Sequence, residues 1–115
     1  MKIERFEGNG RMSKVVAAGD TLYLCGQTDR QSETIEEQTK TVLERIENIL
    51  NTYGSDKEHL LMVQIYLKNM SDFAAMNAVY DEWVVKGCEP ARACVEAPLA
   101  APNILVEIVV TAAKK

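Results

Sequence analysis

Two charged side chains stand where a strand interior is normally apolar. Arg92 lies in "EPARACVEAP", Glu89 to Pro98, and is followed by Ala93, Cys94 and Val95. Glu107 is the one carboxylate in "ILVEIVV", Ile104 to Val110. A guanidinium fork matches a carboxylate in a two-bond geometry that lysine cannot copy, so Arg92 is a candidate carboxylate grip. Glu107 is a candidate for orienting a water or for proton transfer. Strand alternation puts Arg92, Cys94 and Glu96 on one face, and Glu107 on the face of Leu105 and Val109. If these last two strands pair as a hairpin, Arg92 and Glu107 approach each other, and a structural ion pair competes with the functional reading. Removing one partner of a buried pair costs about 3–5 kcal/mol, yet burying the pair gains little over apolar residues. Stability alone is therefore a weak reason for these charges.

Other chemistry-bearing residues are fewer. Cys94 reads first as a small buried hydrophobe. A nucleophilic thiol needs an activating base, and the single histidine, His59, precedes a different strand. A neighbouring Arg92 would lower the thiol pKa and favour reactivity toward alkylators. Asn77 falls on a helical stripe as a local hydrogen-bonding residue or a pocket amide, and Cys25, before Gly26, reads as packing. Tyr23, Tyr66, Tyr80 and Trp83 read as core or interface. "GNG", Gly8 to Gly10, is followed by a strand rather than a helix, so the dinucleotide fingerprint fails. Three cysteines without metal spacing suggest no metal site and a reduced state in the cytoplasm.

The elements that must position these groups follow from periodicity. Ile3 to Glu7 alternates apolar and charged residues and predicts a short strand. Lys14–Ala18 and Thr21–Gly26 predict a hairpin turning at Gly19-Asp20. "TDRQSE" is polar and predicts a solvent loop. Thr34 with Glu37 predicts a capping box opening a helix to Thr52, with Ile35, Val42, Ile46 and Ile49 inward, Leu43 and Leu50 beside them, and Gly54 as the stop. Leu60 to Lys68 predicts a strand with Leu61, Val63, Ile65 and Leu67 on one face and Met62, Gln64, Tyr66 and Lys68 on the other. Ser71 reads as the N-cap of a second helix closed at Lys86-Gly87, with Phe73, Met76, Asn77, Tyr80, Trp83 and Val84 inward. Ala91–Ala97 and Ile104–Ala112 predict the last strands. The order β-β-β-α-β-α-β-β is an α+β pattern: one mixed six-stranded sheet with two helices. Those helices cover one face only, and the last strand is apolar on both, so a second copy of the chain is expected on the open face.

A chain of 115 residues bounds this to one domain, residues 1–115, with no linker and no repeat. The net charge of −4 and the lack of a Lys/Arg cluster argue against nucleic acid. No apolar run is long enough to span a bilayer, and the charged start "MKIERFEGNG" does not read as a secretory signal.

The segments "GDTLYLCGQ", "DFAAMNAVYDEW", "PARACVEAPLA" and "VEIVVTA" together resemble the Rid (RidA/YjgF) family of reactive-intermediate deaminases, in order and over about Arg11 to Ala112. The resemblance implies a chorismate-mutase-like fold, a homotrimer with a central barrel and outer helices, and active sites in clefts between subunits. It implies cofactor-independent hydrolysis of 2-aminoacrylate and related 2-imino acids to 2-keto acids and ammonia. The family's carboxylate-binding arginine falls on Arg92, its strand cysteine on Cys94, its terminal-strand glutamate on Glu107 and its helix asparagine on Asn77. The serine-or-cysteine position before Gly-Gln falls on Cys25. The tyrosine that many members place in the N-terminal loop falls on Met12, within "GNGRMSKVV", which points to a subfamily outside the archetype. A non-catalytic keto-acid-binding protein would use the same Arg92 and differ only in turnover. A holdase or nuclease is a third reading, and the acidic charge speaks against the nuclease.

Overall fold

A computed structural model describes all residues, Met1–Lys115. The elements run β1 (Ile3–Phe6), β2 (Val15–Ala18), β3 (Thr21–Leu24), α1 (Ile35–Thr52), β4 (Leu60–Leu67), α2 (Phe73–Trp83), β5 (Ala91–Glu96) and β6 (Val106–Ala113). The expected α+β order is thus observed. The six strands form one sheet in the order β1-β2-β3-β6-β4-β5. Only β4 and β5 pair parallel, with α2 as the crossover that parallel neighbours require. The sheet is mixed, and both helices pack on one face of it.

β5 and β6 are not a hairpin. β6 inserts between β3 and β4, and β5 takes the sheet edge beyond β4. The physical reason lies in composition. Val106, Ile108 and Val110 are buried, as suits a central strand. β5 carries Arg92 and Glu96, and charged strands are tolerated best at an edge.

α1 is capped as its sequence predicts on one side only. Thr34 Oγ1 accepts from Glu37 N at 3.1 Å, with no reciprocal bond from the Glu37 side chain to Thr34. At the other end Gly54 adopts φ +88, and Ser55 N donates to Leu50 O at 2.8 Å. That 6→1 bond closes the helix, and an L side chain at Gly54 would be strained. The predicted stripe is buried: Ile35, Val42, Leu43, Ile46, Ile49 and Leu50. α2 begins differently from expectation. A 3-10 turn over Met70–Asp72 precedes it, Asp72 occupies the cap position, and no side chain caps it, so Ser71 does not. The helix ends at Trp83, before Lys86-Gly87. Met76, Tyr80 and Val84 supply its contribution to the core.

β4 also departs from strict alternation. Its pairing with β6 slips between Leu60 and Met62. The extra residue leaves Leu60 buried and turns Leu61 outward, while Val63, Ile65 and Leu67 face the helices as expected.

Two buried polar residues tie loops to this frame. Gln38 is fully buried at a stripe position three residues after Ile35. Its Nε2 donates to Ser32 O (2.9 Å) and Asn103 O (2.8 Å), and its Oε1 accepts from Leu105 N (2.9 Å). Gln38→Leu strands three backbone groups and is expected to cost about 2–3 kcal/mol. An unchanged urea midpoint would show that other partners reach those groups.

The loop read as solvent-facing contains the second. Asp29 is 1% exposed. It accepts from Gln31 N (3.0 Å) and Ser32 N (3.3 Å), and Arg45 Nη2 lies 3.7 Å away. Burial pushes its carboxyl up, but these N–H donors and Arg45 outweigh burial and hold it below the usual aspartate value of 3.8. Its contribution is therefore complete above that value and is lost as pH falls through the depressed folded value. Asp29→Asn is expected to be less stable at neutral pH and to lose less on acidification, read as melting temperature against pH. Parallel acid limbs would refute this.

Candidate functional site

Register places the two strand charges on opposite faces. Arg92 aligns with Val63, and Val63 with Val110; these two are buried under the helices. Glu107 aligns with Tyr66, and Tyr66 with Val95, on the open face. Alternation along each strand then puts Arg92 and Cys94 on the helix face and Glu107 on the other. β4 also lies between them, so the two charges are about 10 Å apart laterally at neighbour spacing. None of the ion pairs in the chain includes Arg92 or Glu107. The ion-pair explanation fails on geometry.

Arg92 is instead held by neutral groups of α2. Its Nη1 donates to Asn77 Oδ1 at 2.8 Å. Its guanidinium carbon stands 4.8 Å from the Tyr80 ring centre and 5.9 Å from that of Phe73. Asn77, Tyr80 and Phe73 recur at helical spacing, so one face of α2 carries the amide and both rings. Cation–π contact and one amide bond orient a guanidinium without neutralising it. Arg92 is half-buried, and no carboxylate of the chain pairs with its fork. Periodicity puts Tyr80 and Phe73 on the inward stripe of α2, but nothing local in the sequence pairs them with a residue on another element.

Cys94 sits one inward position along β5, packed against the core. Burial pushes its thiol up, and Arg92 pulls it only part of the way back. This corrects the expected lowering, because half-burial outweighs one nearby cation. Such a thiol is neutral near pH 7 and a poor nucleophile. Slow iodoacetamide labelling of Cys94 near neutral pH is therefore expected in the folded wild-type protein, and labelling as fast as that of a free small-molecule thiol would reinstate it as a nucleophile.

Glu107 occupies a different setting. Its side chain lies over the backbone of Gly26, where an added Cβ would stand 2.9 Å from Glu107 Cδ and closer still to Oε2. Gln27 and Ile108 exchange both backbone bonds (2.9 and 3.1 Å), which locks the Cys25–Gln27 segment beside β6. Gln27 Nε2 donates to Cys25 O at 3.3 Å and lies 3.4 Å from Cys25 Sγ. Gly26 was the missed residue here; a glycine just past a strand is the signal for close approach. Met12 is 54% exposed in the loop between β1 and β2, where Asn9 Oδ1 accepts from Arg11 N and Met12 N, both at 2.9 Å. That loop borders the sheet edge opposite β5. One chain therefore brings Arg92, Asn77 and Cys94 together and brings Glu107 and Cys25 together. It does not join the two groups, nor either to Met12.

A small α+β unit, with an oriented arginine on one sheet face and a carboxylate on the other, is the class that fold and geometry define. The family profile described as Endoribonuclease L-PSP matches residues 2–114. The chain is 42% identical over 113 residues to a RutC family protein of Haemophilus ducreyi, covering 96% of each. It is 40% identical over 113 residues to the RutC family protein YoaB of Escherichia coli, covering 98% of this chain and 99% of that one. A crystal structure of a YjgF family member from Neisseria meningitidis superposes with a TM-score of 0.97 at 47% identity, covering 100% of this chain and 97% of that one. The protein belongs to this L-PSP/YjgF/RutC family, the Rid proteins, and its similarity to the RutC branch accords with a place outside archetypal RidA. No helix is long and apolar enough to cross a membrane.

Proposed function

We propose that this protein hydrolyses 2-imino acids, and enamines such as 2-aminoacrylate after tautomerisation, to 2-keto acids and ammonia. The observation that carries the reading is the free guanidinium fork of Arg92, oriented by Asn77 and Tyr80 with no carboxylate partner. A 2-imino acid supplies that carboxylate, and a fixed carboxylate fixes the adjacent imine carbon.

The opposed faces of Arg92 and Glu107 support a site completed by another copy of the chain. Tyr23, Met62 and Val95 are 50%, 37% and 48% exposed on the open sheet face, an apolar surface suited to burial in a homotrimer. In this reading Arg92, Asn77 and Cys94 come from one chain, and Glu107, Cys25 and Met12 from its neighbour. A monomeric mass by light scattering would remove it.

The chemistry requires little. Glu107 takes a proton from a water as the water oxygen bonds to the imine carbon, and passes that proton to the imine nitrogen to give the carbinolamine. The carbinolamine then collapses: its hydroxyl proton is transferred to the nitrogen, the C–N bond breaks, and ammonia departs from a 2-keto acid. Imines hydrolyse unaided, so positioning by Arg92 and one base suffices.

The test is a coupled assay. An amino-acid oxidase generates imino acids from a panel of amino acids, semicarbazide competes for the imine, and semicarbazone is followed with and without protein. Protein-dependent loss of semicarbazone that requires Arg92 is the expected result. No effect across the panel, with keto acid bound by a folded oligomer, would replace this reading with a binding protein.

A further inference from the structure

A groove of about 440 Å³ runs between α1 and α2. Leu43, Val79 and Trp83 supply its apolar lining. Its charged lining is Glu36, Glu37, Glu44, Glu47 and Glu82 against the single Lys40. Five anions less one cation leave −4, equal to the net charge of the whole chain. Outside the groove, 12 basic residues face 12 acidic ones, from totals of 13 and 17. The entire acidic excess of this protein therefore lines one groove.

Helix energetics accounts for part of this. Glu36 and Glu37 occupy the first turn of α1, where the dipole favours anions. Glu47 accepts from Trp83 Nε1 at 3.2 Å and pairs with Lys57 at 3.7 Å. Glu44 and Glu82 have neither explanation. Both are exposed, without an ion-pair partner, on walls that face each other across Val79 and Trp83. Arg45, next to Glu44, is turned away toward Asp29 and Thr28. The groove is also separate from the Arg92 site, which uses the Phe73, Asn77 and Tyr80 face of α2.

We propose that this groove docks a basic amphipathic helix of a partner protein. The lysines or arginines of that helix lie against the glutamate walls, and its apolar edge lies on the half-buried Val79 and Trp83, above the buried Leu43. Apolar lining beneath charged walls is the pattern of helix-in-groove recognition. Glu36 to Glu47 spans about 16 Å of α1, enough for three turns of a docked helix. Nucleic acids and anionic membranes are repelled by the same charge.

The molecule carries its own reporter, because Trp83 is the sole tryptophan. The probe is a tryptophan-free lysine–leucine peptide patterned as an amphipathic helix, titrated into the native oligomer while Trp83 fluorescence is read. A saturable change that weakens with salt is expected. The Glu44→Lys/Glu82→Lys variant should bind about tenfold or more weakly with imine turnover unchanged, and a scrambled peptide of the same composition should lose a similar factor. No fluorescence change with the patterned peptide, or equal binding by the scrambled peptide, or equal binding by the charge-reversed variant, would overturn the proposal.

Discussion

Arg92→Ala is expected to lower kcat/KM for imine hydrolysis by about one to two orders of magnitude, since a lost charge-assisted hydrogen bond is worth about 1.5–3 kcal/mol. The loss should appear across the whole panel of imino acids, because the carboxylate is what they share. Arg92→Lys keeps a positive charge but forfeits the fork, the amide bond to Asn77 and the stacking on Tyr80. It is therefore expected to recover little activity. Circular dichroism and light scattering guard against misfolding. Near-wild-type turnover in a folded, assembled Arg92→Ala protein would remove Arg92 from the mechanism.

Gly26→Ala is expected to be at least as damaging, although no catalytic group is deleted. The backbone of Gly26 is not in the left-handed region, so alanine meets no conformational penalty there. What it meets is the Glu107 carboxyl group, at 2.9 Å from Cδ. The carboxylate must swing away, and in the proposed mechanism the water it would activate loses its base. The expected loss is about 100-fold, the scale of one general acid–base group, and Glu107→Gln should match it. The diagnostic comparison is the double variant. If both act through the Glu107 carboxylate, combining them adds little. Full activity in Gly26→Ala beside an inactive Glu107→Gln would mean that Glu107 works from another position. Full activity in both would exclude it as the base.

Much of this was legible from local pattern. The order of elements, the buried stripe of α1, the turn at Gly19-Asp20 and the termination at Gly54 follow from periodicity and from what glycine and threonine do at chain boundaries. The unusual residues were legible too. A permanent cation and an anion in strand interiors are costly enough to be noticed, and Asn77 announced itself on an apolar stripe. Gln38 offered the same signal, a polar residue at a stripe position, but its partners Ser32, Asn103 and Leu105 are loop backbone that no pattern pairs with it.

Strand order was the part that sequence could not decide. Adjacent strands in the chain usually pair, and that expectation put Arg92 beside Glu107. Tertiary packing ranks strands by apolarity instead: β6 takes the centre, β5 the edge, and β4 lies between them. Register then sends the two charges to opposite faces, because a strand alternates every residue and each position inherits its face from its neighbour's alignment. Local pattern marks the residues able to do chemistry and the elements that hold them. Packing across the whole sheet sets Arg92 on Asn77 and Tyr80, sets Glu107 on Gly26, and keeps the two groups apart within one chain. Those contacts join residues far apart in the chain, and side-chain burial across a whole sheet, rather than any local preference, selects them.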